Sequence, residues 1–167
     1  TFDLPSIDGL QRAYLLGAAD NRAEVSINGV YGGTLESFSQ WSEIDMTAFL
    51  QPGRNVISVE AINMGDTPNP AGFVAAVVVQ GNDAVSLASF VTDAQWRTSR
   101  VAAPGWQTTT FDDTAWEAAH IVGSLGCQPW GNFGLLTWLV PDDFVEFKVP
   151  GYEKQMELLR QLFWLHY

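Results

Sequence analysis

The chain has 167 residues, 47% of them apolar and 13% aromatic, with seven Trp. That is enough to bury a real core in one domain, and it excludes a disordered or collagen-like chain. The formal charge of −11, from 19 acids against 8 bases, repels phosphate backbones and argues against a nucleic-acid partner, while remaining compatible with divalent cations.

No apolar run reaches the roughly 18 residues needed to span a bilayer, so no membrane span is expected. Cys127 is the single cysteine, which precludes an intrachain disulfide. A first residue that is Thr and not Met suggests a processed N-terminus or a trimmed chain. Together these features suggest a secreted, extracellular protein that does not depend on disulfides. An Asn-x-Ser/Thr sequon is absent, so N-glycosylation says nothing about compartment.

In chain order, "RAYLLGAA" (12–19) and "AEVSING" (23–29) read as a first pair of strands, with Asn28-Gly29 a hairpin signal. In the second, Val25 and Ile27 alternate with Glu24 and Ser26, as a strand with one wet face requires. "QPGRN" (51–55) is a Pro-Gly turn before "RNVISVEAIN" (54–63), whose Ile57, Val59 and Ala61 oppose Val56, Ser58 and Glu60. "GFVAAVVVQG" (72–81) is apolar on both faces and is predicted to be a central strand, followed by a further strand in "VSLASFVTD" (85–93). Short strands at this spacing argue for an antiparallel sandwich or barrel and against a parallel α/β sheet.

From 93 to 131 the texture becomes irregular, and Trp96, Trp106 and Trp116 read as plugs in loops that wrap the strands. "DDTAWEAA" (112–119) has the look of a short helix capped by Asp112 or Asp113. In "GYEKQMELLRQLFWLHY" (151–167), Tyr152, Met156, Leu159 and Phe163 fall at helical spacing, which predicts a C-terminal helix over about 152–166. Leu158, Trp164 and Leu165 lie off that stripe, so the helix must dock on its own domain or associate with another copy.

The loop "INMGDTPNPAG" (62–72) carries more polar residues than a turn needs. They either satisfy loose backbone groups or hold something.

The stretch "AEVSINGVYGGTLESFSQWSEIDMTAFLQPGRNVISVEAIN", with "GW", "FDDTAW" and "PWG" at 105–106, 111–116 and 129–131, resembles the galactose-binding-like β-sandwich domains attached to glycoside hydrolases. The likeness covers roughly residues 10 to 131. It implies an all-β, antiparallel jelly-roll sandwich over 1–135, with 136–167 as an extension bearing the helix. Within that superfamily, calcium-dependent L-rhamnose-binding modules carry an Asp-Asn pair, a central Trp, and an Asn followed five residues later by Pro. Here these are Asp20-Asn21, Trp41, Asn63 and Pro68. The resemblance implies that Asp20, Asn21, Asn63 and the Pro68 carbonyl ligate calcium, and that Trp41 flanks a sugar. Asp66 either adds a ligand or caps the turn.

The chemistry is coherent. Calcium takes six to eight oxygen ligands, and positions left open by protein accept vicinal hydroxyls of a sugar. Trp41 would offer a flat apolar surface to the ring. The bland alternative stays open, because Asp20-Asn21 before Arg22 is also good turn chemistry and Trp41 could be a core plug. Trp130 reads as packing.

Little speaks for catalysis. His120 and His166 are the only histidines, so a His/Cys metal cluster is absent. Cys127 lacks an oriented base, and the adjacent carboxylates of Asp112-Asp113 and Asp142-Asp143 would diverge rather than flank one bond. The expected function is non-catalytic carbohydrate binding, through calcium, of L-rhamnose or a related sugar. Alternatives are a structural module that self-associates through the C-terminal helix, and an accessory domain of a larger glycoside hydrolase.

Overall fold

A computed structural model describes residues 1–82, 86–131 and 163–166. The described chain is all-β, and its one helical element is the short 3-10 turn Thr47–Phe49. In order, the strands are β1 (Phe2–Leu4), β2 (Leu10–Asp20), β3 (Arg22–Ile27), β4 (Val30–Leu35), β5 (Ser42–Asp45), β6 (Gly53–Asn55) and β7 (Ile57–Ile62). There follow β8 (Gly72–Gly81), β9 (Ser86–Val91), β10 (Arg97–Thr98), β11 (Glu117–Ala118), β12 (His120–Ser124) and β13 (Phe163–His166).

Two antiparallel sheets share one core. The larger is built on β2 and β8, which pair from Leu10↔Gly81 to Asp20↔Gly72. β5 takes the other edge of β2, while β9 and β13 divide the free edge of β8 and β12 pairs beyond β13. The smaller sheet has the order β4-β3-β7. Alternation explains the layers. Ala13, Leu15 and Ala19 of β2 and Phe73, Ala75, Val77 and Val79 of β8 face Ala23, Val25 and Ile27 of the smaller sheet. The opposite residues, Leu16, Ala18, Val74, Ala76 and Val78, form a second apolar layer under Trp41 and Trp130. β8 is therefore apolar on both faces because both are covered, as its sequence predicts.

Turn chemistry fixes the small sheet. Asn28 and Gly29 both have positive φ, 52° and 82°, and close the β3–β4 hairpin with the twist that such a turn demands. Asn28 also reaches across to the fully buried Asn55: its Nδ2 donates to Asn55 Oδ1 at 2.8 Å and its Oδ1 accepts from the Val56 N–H at 2.9 Å. Asn55 in turn binds both the N–H and the carbonyl of Gln51, tying β6 and its Pro-Gly turn to the hairpin.

Three local expectations are corrected. Segments 12–19 and 23–29 do not pair: β2 and β3 are consecutive but lie in different sheets, and β3 pairs with β4 and β7. Residues 112–119 form no helix, because the Asp112 carboxylate accepts from the Thr114 N–H at 3.0 Å in a tight turn and the chain then extends into β11. The C-terminal helix is not found at Phe163–His166, which is a strand. There Leu165, 4% exposed, pairs with Phe73 at a stretch of β8 that β9 does not reach, and closing that edge outweighs helical periodicity. The remainder of that expected helix, 152–162, lies outside the described residues.

Candidate functional site

β2 ends at Asp20 in the larger sheet, opposite Gly72, where β8 begins. β3 begins at Arg22 in the smaller sheet, opposite Ile62, where β7 ends. The Asp20–Arg22 connection and the 62–72 loop thus both cross between the sheets at one end of the molecule. Hydrogen bonds tie them together: the Asn21 N–H donates to the Ile62 carbonyl at 3.1 Å, and the Met64 N–H donates to Asn21 Oδ1 at 2.6 Å.

Asp20 is 8% exposed and sits at the edge of the outer apolar layer. Its Oδ2 accepts the indole N–H of Trp130 at 2.8 Å, a bond that spans 110 residues of sequence. Trp130 therefore packs, as expected, and also holds a candidate ligand. The residue that would flank a sugar, Trp41, lies in the same cluster as Trp130 and is 8% exposed, so little of its ring is open to solvent.

The loop of residues 63–70 is exposed throughout. Its organiser is Asn69, which the sequence reading passed over. Asn69 Nδ2 donates to the carbonyls of Met64 and Thr67, each at 3.1 Å, and its own carbonyl accepts Asn63 Nδ2 at 3.4 Å. Gly65, with φ of 129°, passes so close that a Cβ there would lie 2.8 Å from Asn69 Nδ2. Part of the surplus polarity is thus local backbone satisfaction. The signal was an Asn flanked by two Pro, a residue type that closes loops through its own side chain.

Of the candidate ligands, Asn21 and the start of the 63–71 loop are in direct contact, and Asp20 and Trp41 meet the site through the Trp130 cluster. Asp66 and Pro68 are exposed farther along the loop. The donor set is entirely oxygen: the carboxylates of Asp20 and Asp66, the amide oxygens of Asn21 and Asn63, and the Pro68 carbonyl. This suits a hard cation. Asn21 Oδ1 keeps a second lone pair beyond the one taken by Met64. Among the described residues no group of three or more His, Cys, Asp or Glu is placed to hold a metal ion, so a cation at this rim would rest on Asn side chains and backbone oxygens as well as carboxylate.

The other groups weighed for chemistry have structural surroundings. Burial pushes the Cys127 thiol pKa up, away from the reactive thiolate, and Cys127 packs against the tryptophan cluster. His120 is paired in register with His166 across β12 and β13. Asp142 and Asp143 lie outside the described residues.

Fold and rim together define a β protein of two main sheets with a polar crossover at one end, and known proteins share this architecture. The chain is 31% identical over 157 residues to an α-L-rhamnosidase of Streptomyces avermitilis, an alignment covering 90% of this chain but only 15% of that enzyme. The crystal structure of the Streptomyces avermitilis α-L-rhamnosidase complexed with L-rhamnose superposes on 80% of this chain with a TM-score of 0.69 and 28% identity, covering 13% of that structure. A lectin of Pleurotus ostreatus, in complex with GalNAc, matches 74% of this chain and 36% of its own with a TM-score of 0.65 and 31% identity. No protein-family model matches the chain. The chain is thus similar in sequence and fold to part of an α-L-rhamnosidase and to a fungal lectin, and it spans about 15% of the curated relative it matches.

Proposed function

We propose that this chain is a non-catalytic carbohydrate-binding module whose site is the rim where the 20–22 and 62–72 connections meet. The observation that carries this reading is the 2.6 Å bond from the Met64 N–H to Asn21 Oδ1, which joins two segments 43 residues apart. Asp20, Asn21 and Asn63, with the Pro68 carbonyl and Asp66 as further oxygens, are the residues that would hold calcium. Bound there, the ion supplies open coordination positions for vicinal hydroxyls. The protein's part is to fix the oxygens, through Trp130 on Asp20 and through Asn69 on the loop, and to flank the sugar with Trp41. L-rhamnose, or a galacto-configured sugar such as GalNAc, is the ligand class that the sugar complexes of the similar proteins support. The share of the relative that is covered supports an accessory role within a longer glycoside hydrolase.

The test is a calorimetric titration with L-rhamnose and with GalNAc, in calcium and in EDTA. Saturable heat with either sugar that disappears in EDTA, and in Asn63→Ala, supports the reading. Binding that is indifferent to both, or no binding, contradicts it.

A further inference from the structure

A second feature lies on the other side of the sandwich. β7 is the edge of the smaller sheet and β9 borders β8 in the larger one. Where these two edges face each other, residues of both line a groove of about 900 Å³, roofed by the 93–116 segment. That volume falls in the range of small-molecule sites, roughly 300–1,000 Å³.

Its walls are aromatic and fixed. Trp106 and Trp116 stand 6.0 Å apart, tilted by 33°, and Phe111 meets Trp116 edge-on at 5.4 Å. All three stay part-exposed, whereas a ring that serves only as a plug would be covered. Trp96 anchors the segment by packing on Phe73 at 5.7 Å and donating its indole N–H to the Val91 carbonyl at 3.2 Å. Rings held by neighbours lose little freedom when a ligand stacks on them.

The polar lining is mixed in sign. Arg97 and Arg100 are set against Glu60, Asp93 and Asp113, so neither an anion nor a cation is favoured strongly. β7 lines the groove along its length; Ile57, Val59 and Ala61 also pack against the core, while Ser58 and Glu60 lie on the opposite face of the strand. Ser58 on that face is 5% exposed, and its hydroxyl has no hydrogen-bond partner. Next to it in register, Ser26 is already satisfied by Gln107 Nε2 at 3.2 Å.

We infer that this groove is a second carbohydrate site, for a neutral oligosaccharide, working without a cation. A pyranose has an apolar C–H face that suits an indole, and a rim of hydroxyls that both donate and accept, which suits a lining that carries both guanidinium and carboxylate groups. The site is separate from the rim. Ser58 lies on the outer face of the smaller sheet, and Trp130 and Trp41 cover the outer face of the larger one. It stands or falls independently of calcium.

The test is an amide and indole NMR titration of the whole chain in EDTA, using lactose, cellobiose, maltose and mannobiose as probes. Saturable shifts of the Trp106 and Trp116 indole signals with at least one of them are expected. Arg100→Ala, an exposed change that leaves the fold intact, should weaken that binding about fivefold to tenfold, and Trp116→Ala should abolish it. Asp20→Ala should leave it unchanged. Indole signals unmoved by every probe up to about 20 mM, a range that catches millimolar affinities, would overturn the inference. So would shifts that Arg100→Ala does not weaken, or that Asp20→Ala removes.

Discussion

Asn55 shows how one buried side chain can set the course of three segments. It is fully buried, and its amide makes four hydrogen bonds: to Asn28, to both backbone groups of Gln51, and to the Gly53 carbonyl. Asn55→Ala would strand several of these groups away from water, each at about 1–3 kcal/mol before relaxation. Chemical denaturation should report a loss of about 2–4 kcal/mol. Trp130→Phe removes the bond to Asp20, at about 1.5–3 kcal/mol for a charge-assisted bond, and its smaller ring adds a cavity cost in a buried site. Thermal melts should show that loss. Asp45 offers a pH prediction. The Thr47 hydroxyl and then its N–H hydrogen-bond the Asp45 carboxylate, and hold its pKa below the usual value. A lowered pKa stabilises the fold above the ordinary carboxylate range and ceases to do so as pH falls through the lowered value. Wild type should therefore exceed Asp45→Asn in stability at neutral pH, and the gap should close below about pH 4.

Elements were legible where the signal is local. Asn28-Gly29 announced its hairpin because only residues tolerating positive φ close that turn. The apolar run 72–81 announced a strand covered on both faces. Partners were less legible, since strand pairing depends on residues far away in sequence. "RAYLLGAA" sits next to "AEVSING" in the chain, yet β2 pairs with β8 and β5. The end of the chain misled for a related reason. Tyr152, Met156, Leu159 and Phe163 are spaced for a helix, but Leu165 answers to Phe73 across a sheet edge, a partner that periodicity cannot see. Leu165→Ala should cost about 2–5 kcal/mol, as for a large buried aliphatic side chain. A cost below about 0.5 kcal/mol, typical of a surface change, would place Leu165 outside the sheet. At the site, the Asp-Asn pair and the polar loop could be picked out from residue type alone. The bond from Trp130 to Asp20 could not, because nothing in "PWG" points to residue 20.

At the scale of the molecule, the two-sheet architecture dictates the site. When one strand ends in the large sheet and the next begins in the small one, the connection must cross the rim. Two such crossings at one end bring Asn21 and Met64 together. Acidic overall charge leaves that rim attractive to a divalent cation. The central claim is that these crossings hold calcium, and thermal unfolding in calcium against EDTA tests it most directly. At calcium about 100-fold above its dissociation constant, the folded state gains about 2.7 kcal/mol. For a chain of this size that raises Tm by about 5–10 °C. The increase should vanish in Asp20→Ala and in Asn63→Ala. An unchanged Tm, or an increase that survives both substitutions, would contradict the account.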